Sequence, residues 1–181
     1  MNLYFRLLIV LLRNLFPKRR LKPFEVSVLH SRVWPTDLDV NLHMNNGLYL
    51  GLMDLGRFDL MQRVGLVHKS LAERWMPVVV DVKIRYRQSL KPFEAFELHT
   101  RLVGWDRKFF YLEQRFTHGN RVMARALVRA AIVGKKGRTL HCDEVMEAFG
   151  VDLASPPVDD EFQIGWVSRP GTQPLPPLEM V

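Results

Sequence analysis

The sequence feature that most constrains the fold is a long apolar helix pattern followed directly by a series of strand patterns. Apolar side chains in residues 47–64 form two rows that together cover most of a helical circumference, so we expect other elements to wrap this helix. Gly56, in the middle of the pattern, predicts the close approach of another backbone. Asn45 or Asn46 is the expected N-cap, because a short side-chain oxygen can accept from the first free amides of a helix.

The strand patterns predict an antiparallel sheet. One of them precedes the helix in residues 24–34, and the clearest period-2 alternation follows it, with Val80, Val82, Ile84 and Tyr86 on one side. The remaining patterns are joined by short connections, so they should form a meander; they span residues 93–105, 108–117 and 121–134. We therefore predict an α+β fold in which a curved antiparallel sheet of about five strands wraps one long central helix.

Further elements flank this unit. Residues 68–75 predict a short helix, and Val145, Met146 and Phe149 mark another near the carboxyl end. Beyond residue 155 the chain is rich in proline, which predicts an irregular surface path. We divide the chain into a basic amphipathic helix, the helix-and-sheet domain, and a short helix with a proline-rich tail; these parts span residues 1–22, 23–135 and 136–181.

Composition excludes several classes of protein. Apolar residues make up 48% of the chain and charged residues 25%, so it is not mostly disordered. The sequence has one cysteine, no C-x-x-C or H-E-x-x-H spacing and no glycine-rich phosphate loop, and we expect neither a metal nor a cofactor. Cys142 beside His141 is expected to be a small apolar residue, because sequence neighbours on a helix do not face each other.

The net charge of +7 is concentrated at the amino end. Residues 1–22 hold six of the 26 basic residues and no acidic one, which leaves 20 basic and 19 acidic residues elsewhere. A nearly neutral body argues against nucleic acid as a partner. Two basic rows on predicted strands fit a solvated outer sheet face better than a site for CoA phosphates; they are Lys83, Arg85, Arg87 and Arg121, Arg125, Arg129.

Residues 3–16 predict an amphipathic helix. The stretch is shorter than the roughly 20 apolar residues of a spanning helix, and it lacks the cleavage site of a signal peptide. Arg6, Arg13 and Arg20 would share one face. With the Lys18–Lys22 cluster, this stripe favours an anionic membrane surface as a partner of an otherwise cytoplasmic protein. The alternative is a helix that docks on the protein's own body or on a second subunit.

The polar loop before the long helix carries the candidate chemistry. It reads Asp-Leu-Asp-Val-Asn-Leu-His-Met-Asn-Asn from Asp37 to Asn46. Asp39, Asn41 and His43 occupy alternate positions, so an extended backbone would point all three the same way. A carboxylate can activate water or attack a carbonyl, an imidazole can share the proton transfer, and amides at a helix start can hold an oxyanion. These are the parts needed to hydrolyse an activated acyl group.

This loop resembles the Asp-x-Asp-x-Asn-x-His-x-Asn-Asn segment of acyl-carrier-protein thioesterases and, more loosely, the Asp-x-Asp loop of the 4-hydroxybenzoyl-CoA thioesterase group. Both are hot-dog families, so the resemblance implies the hot-dog fold, in agreement with the order of elements. It implies catalytic roles for Asp39, Asn41 and His43. It also implies an acyl-CoA or acyl-carrier-protein substrate and a homodimer with the site near its interface. The basic helix and the proline-rich tail belong to neither family's pattern.

We therefore predict an acyl thioesterase in which Asp39 is the base or nucleophile, while Asn41 and His43 orient the reacting groups. Amides near Asn46 and Gly47 would hold the carbonyl oxygen. Tyr49 either contacts the acyl group or belongs to the core.

Other interpretations of these residues remain open. Asp37 is expected to shape the loop, and Asp39 and His43 can serve the same structural purpose. Two other functions would use the same fold. One is a non-catalytic, membrane-associated acyl-binding protein. The other is a dehydratase or hydratase that acts on the β-carbon.

Overall fold

The structure, a computed structural model, describes residues 3–15, 19–151 and 153–158. Its α-helices are α1 (Leu3–Leu15), α2 (Asn46–Arg63), α3 (Leu66–Glu73) and α4 (Cys142–Ala148). Its strands are β1 (Ser27–Arg32), β2 (Met76–Tyr86), β3 (Ala95–Trp105), β4 (Phe110–His118) and β5 (Arg121–Val133). Lys18 and the proline-rich tail from residue 159 onward lie outside the described residues.

The strands form one antiparallel sheet in the order β1-β3-β4-β5-β2. The predicted meander of β3, β4 and β5 is confirmed, with strand ends within two residues of the patterns. β2 begins four residues before its alternating pattern and includes Pro77, which an edge strand tolerates because one side of it needs no ladder hydrogen bonds. The predicted α+β fold, one long helix against a five-stranded antiparallel sheet, is confirmed.

α2 is the central helix, and its buried side chains join the main core with the sheet. A Cβ built on Gly56 would lie 2.7 Å from both Leu98 Cδ2 and Thr100 Oγ1. The predicted close approach is therefore confirmed, but the prediction of a backbone neighbour is wrong: the nearest atoms belong to side chains of β3. Glycine is required here because a sheet that curves around a helix brings its own side chains against the helix axis.

A buried polar group also ties α2 to the sheet. The side chain of Gln114, on β4, donates to the carbonyl oxygen of Met53 at 3.0 Å and to Thr100 Oγ1 at 2.9 Å. Its Oε1 accepts a hydrogen bond of 2.7 Å from the Arg57 guanidinium, whose pKa is lowered because burial removes it from water. Since each polar group in this set has a partner, the set fixes how α2 sits on the sheet.

α1 docks on the body of the protein. Arg6 and Val10 are buried, and a Cβ on Gly51 of α2 would lie 3.0 Å from Leu3 Cδ2. The prediction that Arg6 belongs to an exposed basic stripe is wrong, because its guanidinium is paired with Asp37 inside the protein. The side chain of Arg13 lies outside the described residues.

The outer face of α1 is apolar and exposed; it consists of Tyr4, Phe5, Leu8, Leu11 and Leu12, with exposed fractions from 38% to 77%. In the part of the chain that the structure describes, no helix combines the length and hydrophobicity needed to cross a membrane. We call these five residues the outer face of α1.

Candidate functional site

The motif loop reverses direction within five residues. The amide of Asp39 donates to the carbonyl oxygen of His43 at 2.8 Å, and the amide of Leu42 donates to that of Asp39 at 3.1 Å. Leu42 has a φ of 57°, a left-handed conformation that a tight turn requires. The prediction of an extended backbone here is wrong. Asp39, Asn41 and His43 are brought together by the turn and not by strand alternation.

The two oxygens of the Asp39 carboxylate differ in their hydrogen bonds. Oδ1 accepts the amides of Asn41 and His43 at 2.9 Å and 3.2 Å, which stabilises the turn in the way expected of an aspartate in this position. Oδ2 makes no hydrogen bond to the described residues. The loop-shaping role and a chemical role are therefore compatible, because they use different oxygens of the same half-buried group.

Asn41 and His43 supply the polar surroundings of this oxygen. The Asn41 side chain is exposed and that of His43 is half-buried. Neither side chain forms a hydrogen bond within the described part of the chain; only main-chain groups of these two residues are engaged, in each case by Asp39. An amide and an imidazole that have no partner in the protein remain able to bind a substrate or a water molecule.

The start of α2 adds hydrogen-bond donors directly after the turn. The predicted N-cap is confirmed as Asn45, whose Oδ1 accepts the Gly47 amide at 2.8 Å. The Gly47 amide is thus occupied, whereas the Asn46 amide has no acceptor among the described residues. Tyr86, at the end of β2, donates to the Asn46 carbonyl oxygen at 3.0 Å. With respect to the described residues, the N–H of Asn46 is therefore a free donor at this positive end of the helix dipole.

Asp37 has a different task. Its carboxylate is buried, pairs with the Arg6 guanidinium and accepts the Trp34 amide at 2.8 Å. Its carbonyl oxygen accepts the amide of the N-cap residue, Asn45, at 2.8 Å. Asp37 therefore joins α1, the end of β1 and the start of α2, which is the loop-shaping role expected of it.

Tyr49 lies in the core. It is 1% exposed, and its ring makes edge contacts with Tyr86 and Phe116 at centroid distances of 5.1 Å and 4.8 Å. Burial raises the pKa of its hydroxyl to about 12. Of the two positions considered for this side chain, the structure shows the core position.

One reactive thiol is inert, and two arginines of the predicted basic rows are paired. Burial raises the pKa of the Cys142 thiol to about 12, so this cysteine is a poor nucleophile. Arg125 pairs with Glu113 and Arg129 pairs with Asp81 on the sheet. Within the described residues, no group of histidine, cysteine, aspartate and glutamate side chains has the arrangement of a metal site.

Sequence reasoning missed a cavity of about 570 Å³ beside α2. Its walls come from all four α-helices, from four of the five strands and from the segment that follows α1. No residue from 37 to 49 is part of its lining. A local sequence pattern contains no signal for such a space, because each contributing segment reads as ordinary core.

Comparisons with known proteins identify the family. Residues 33–165 match the family model of the thioesterase-like superfamily. Protein THEM6 of Xenopus laevis is 34% identical over 157 residues, which cover 83% of this chain and 73% of that protein. Protein THEM6 of Danio rerio is 49% identical over 90 residues, which cover 50% of this chain but 45% of that protein.

Among solved structures, the YbaW probable thioesterase of Escherichia coli superposes with a TM-score of 0.64 at 23% identity, covering 68% of this chain and 96% of that one. The predicted hot-dog fold is confirmed. The chain belongs to the thioesterase-like superfamily.

Proposed function

We propose that this protein hydrolyses acyl thioesters and that Asp39 carries the reaction. The observation that supports this most directly is that one short loop supplies both a carboxylate oxygen, Asp39 Oδ2, and an amide, the Asn46 N–H, neither of which is engaged by the described residues. A thioesterase needs both: a group that delivers oxygen to the acyl carbon, and a donor for the charge that develops on the carbonyl oxygen.

In the proposed reaction the thioester carbonyl oxygen lies at the Asn46 amide. Asp39 Oδ2 either takes a proton from water, whose oxygen then bonds to the acyl carbon, or attacks that carbon itself to give an anhydride that water cleaves. In both routes the C–S bond breaks and the thiolate leaves, so that the products are a carboxylic acid and a thiol. Asn41 and His43 orient the water and the thioester.

The leaving group is CoA or the thiol of an acyl carrier protein. Release of free thiol from a panel of acyl-CoA and acyl-carrier-protein substrates tests the proposal. A hydratase would leave the thioester intact and change the β-carbon, while a non-catalytic acyl-binding protein would bind the panel without releasing thiol.

The unpaired edge of the sheet supports a homodimer. Among the described residues, β2 pairs only with β5, and four apolar side chains on it are between 36% and 59% exposed; they are Met76, Val79, Val80 and Val82. A long apolar edge strand exposed to water is a site for pairing with another strand. We propose that two copies join along β2, which ends beside the start of α2 at Tyr86 and so places the turn close to the second copy.

For the full-length protein, light scattering is expected to report twice the chain mass of 21.2 kDa. Val82→Lys, on the exposed edge, should shift the protein towards the monomer because a charge on an edge strand opposes pairing. Leu71→Lys is the matched control, since Leu71 is 76% exposed on α3. A parent protein that is monomeric and fully active at micromolar concentration would contradict the dimer.

The outer face of α1 supports binding to a membrane surface. Its apolar side chains lie on a helix whose following segment carries the exposed residues Arg19, Arg20 and Lys22. An apolar helical face next to basic residues fits the interface of an anionic bilayer. We propose that α1 lies on such a surface while its inner face stays packed on α2.

Full-length protein is expected to sediment with vesicles rich in anionic lipid, much less with neutral vesicles, and less at high salt. Replacing both Leu8 and Leu12 by Gln should abolish most of this binding, since both side chains are 48% exposed and hold no part of the core. Leu71→Gln is the control. These substitutions are preferable to deletion of the helix, which would remove the buried residues Arg6 and Val10. Unchanged binding by the double variant would exclude the outer face of α1 as the contact.

A further inference from the structure

A small basic pocket lies between β2 and β5, with a volume of about 130 Å³. Ala124 and Ala126 belong to the core beneath α2, and successive side chains of a strand point to opposite faces. Arg125 therefore lies on the face of the sheet that points away from α2, which we call the far face. No acidic residue occurs in the lining, which consists of Lys83, Ile84, Arg85, Arg87, Arg125 and Leu127.

The positive charge around this pocket exceeds what the neighbouring acid can balance. Arg85 lies directly opposite Arg125 in the sheet, and Arg125 lies directly opposite Arg115. Like charges in such positions repel each other. The buried carboxylate of Glu113 accepts hydrogen bonds of 2.6 to 2.9 Å from three guanidinium groups, those of Arg101, Arg115 and Arg125. One negative charge thus serves three positive ones, and this part of the far face keeps a positive surplus.

The remaining positive charge is gathered at the pocket. The side chains of Lys83, Arg85 and Arg87 are exposed and form no hydrogen bond or ion pair within the described part of the chain. Arg129, the next arginine along β5, is paired with Asp81. A solvated face, the interpretation that the sequence favours for these rows, does not explain why the unpaired cations surround one concavity.

The pocket has the chemistry of a phosphate site. Guanidinium groups donate paired hydrogen bonds to phosphate oxygens, and a lysine adds a point charge. A volume of about 130 Å³ admits a phosphate group, since one molecule of liquid water occupies about 30 Å³. It is smaller than the roughly 300 Å³ or more of sites that enclose a whole ligand. The pocket therefore suits the charged end of a ligand whose remainder lies elsewhere.

Tyr86 connects the pocket to the proposed reaction centre. It lies between Arg85 and Arg87 on β2, points to the opposite face and donates to the Asn46 carbonyl oxygen at 3.0 Å. The arm of CoA between its diphosphate and its sulfur has about 13 bonds and reaches about 15 Å when extended. Such an arm is longer than one tyrosine side chain with its hydrogen bond. It can pass over the edge strand, with the phosphates on the far face and the thioester at Asn46.

We propose that the pocket between β2 and β5 binds phosphate, and that the phosphate it receives in the reaction belongs to CoA. CoA carries a diphosphate and a 3′-phosphate, whereas the arm of a carrier protein is joined through a single phosphodiester, so the surplus of positive charge favours CoA. The assignment to CoA rests on the proposed thioesterase function. The binding of phosphate does not, and it can be measured without turnover.

The test compares the binding of soluble probes to full-length protein by titration calorimetry. CoA should bind at least about tenfold more tightly than pantetheine, which has the same arm without phosphate, and high salt should reduce this difference. Inorganic pyrophosphate should compete with CoA but not with pantetheine. Glycerol 3-phosphate represents a lipid headgroup; tighter binding of this probe than of CoA would overturn the assignment to CoA.

A pair of charge-matched double variants locates the contact. Arg85→Gln combined with Arg87→Gln should weaken CoA binding by about tenfold, the effect of losing two exposed charge contacts, and should leave pantetheine binding unchanged. Lys91→Gln combined with Arg121→Gln removes the same charge from exposed positions outside the pocket and should change neither affinity. With acyl-CoA the pocket variant should raise KM and leave kcat nearly unchanged. Thioesters of N-acetylcysteamine, which have no phosphate, should be hydrolysed as by the parent.

The possible outcomes separate the pocket from the thioesterase. Equal affinity for CoA and pantetheine, or equal losses in the pocket variant and its control, would overturn the inference. The competition by pyrophosphate requires no variant, so the test stays decisive if the pocket variant is unstable. Phosphate-dependent binding of CoA without thiol release from any thioester would retain the pocket and refute the thioesterase. Thiol release from acyl-CoA with a KM that the pocket variant leaves unchanged would refute the pocket alone.

Discussion

Asp39→Asn is expected to reduce thioester turnover by about 10²- to 10⁴-fold, the range typical of losing a general base or nucleophile. The fold should be preserved, because the amide oxygen of asparagine can accept the same two hydrogen bonds that Asp39 Oδ1 accepts from Asn41 and His43. The substitution replaces only the second carboxylate oxygen, by an amide nitrogen that cannot act as a base or nucleophile. Steady-state turnover, together with the midpoint of thermal unfolding, separates the two effects.

The comparison variant for this prediction is Asp37→Asn, which alters the other acid of the motif. Turnover by the folded protein should stay within a few-fold of the parent, since the Asp37 carboxylate is engaged by the Arg6 guanidinium and the Trp34 amide. If Asp39→Asn folds and retains turnover close to that of the parent, Asp39 serves only to shape the loop. Equal losses at both positions would show that the two acids act as one unit.

The second large effect is on stability. Asp37→Asn is expected to lower the free energy of unfolding by about 3–5 kcal/mol, the usual effect of removing one partner of a buried ion pair. The side chains of Arg6 and Asp37 are 4% and 2% exposed, so the guanidinium that remains has little water to replace its partner. Chemical denaturation of the parent and the variant measures this loss.

A double-mutant cycle distinguishes the ion pair from two independent effects. Arg6→Met should be destabilising by itself, whereas Arg6→Met combined with Asp37→Asn should lose clearly less than the sum of the single losses, because no unpaired charge then stays buried. Strictly additive losses would show that the two groups do not stabilise each other. Such a result would also remove the reason for regarding α1 as a support of the motif loop.

The parts of the fold that the sequence predicts are those specified locally. Two apolar rows define α2, the side chain of Asn45 caps it, and short connections determine the meander. Each of these depends on residues within a few positions of one another, where spacing and side-chain type suffice. The sequence also predicts that the loop after β1 is functional, since a loop with many polar side chains directly before an apolar helix is rarely needed for structure alone.

The parts that sequence reasoning missed depend on distant partners. The sequence places Arg6 in an exposed stripe because its partner, Asp37, is 31 residues away. The sequence does not predict the turn at Leu42 because no glycine marks its left-handed residue. The alternation in β2 predicts one buried face, yet Val80 and Val82 are exposed in the single chain, partly because the register shifts between Val79 and Asp81.

The central claim is that Asp39 and the start of α2 cleave the C–S bond of an acyl thioester. It is tested most directly by incubating the purified protein with a panel of aliphatic and aromatic acyl-CoA substrates and quantifying the products by mass spectrometry. The account predicts equal amounts of carboxylic acid and free CoA from at least one substrate, formed by the parent protein and almost absent with Asp39→Asn. A panel that stays intact, or products altered at the β-carbon with their thioester preserved, would contradict it.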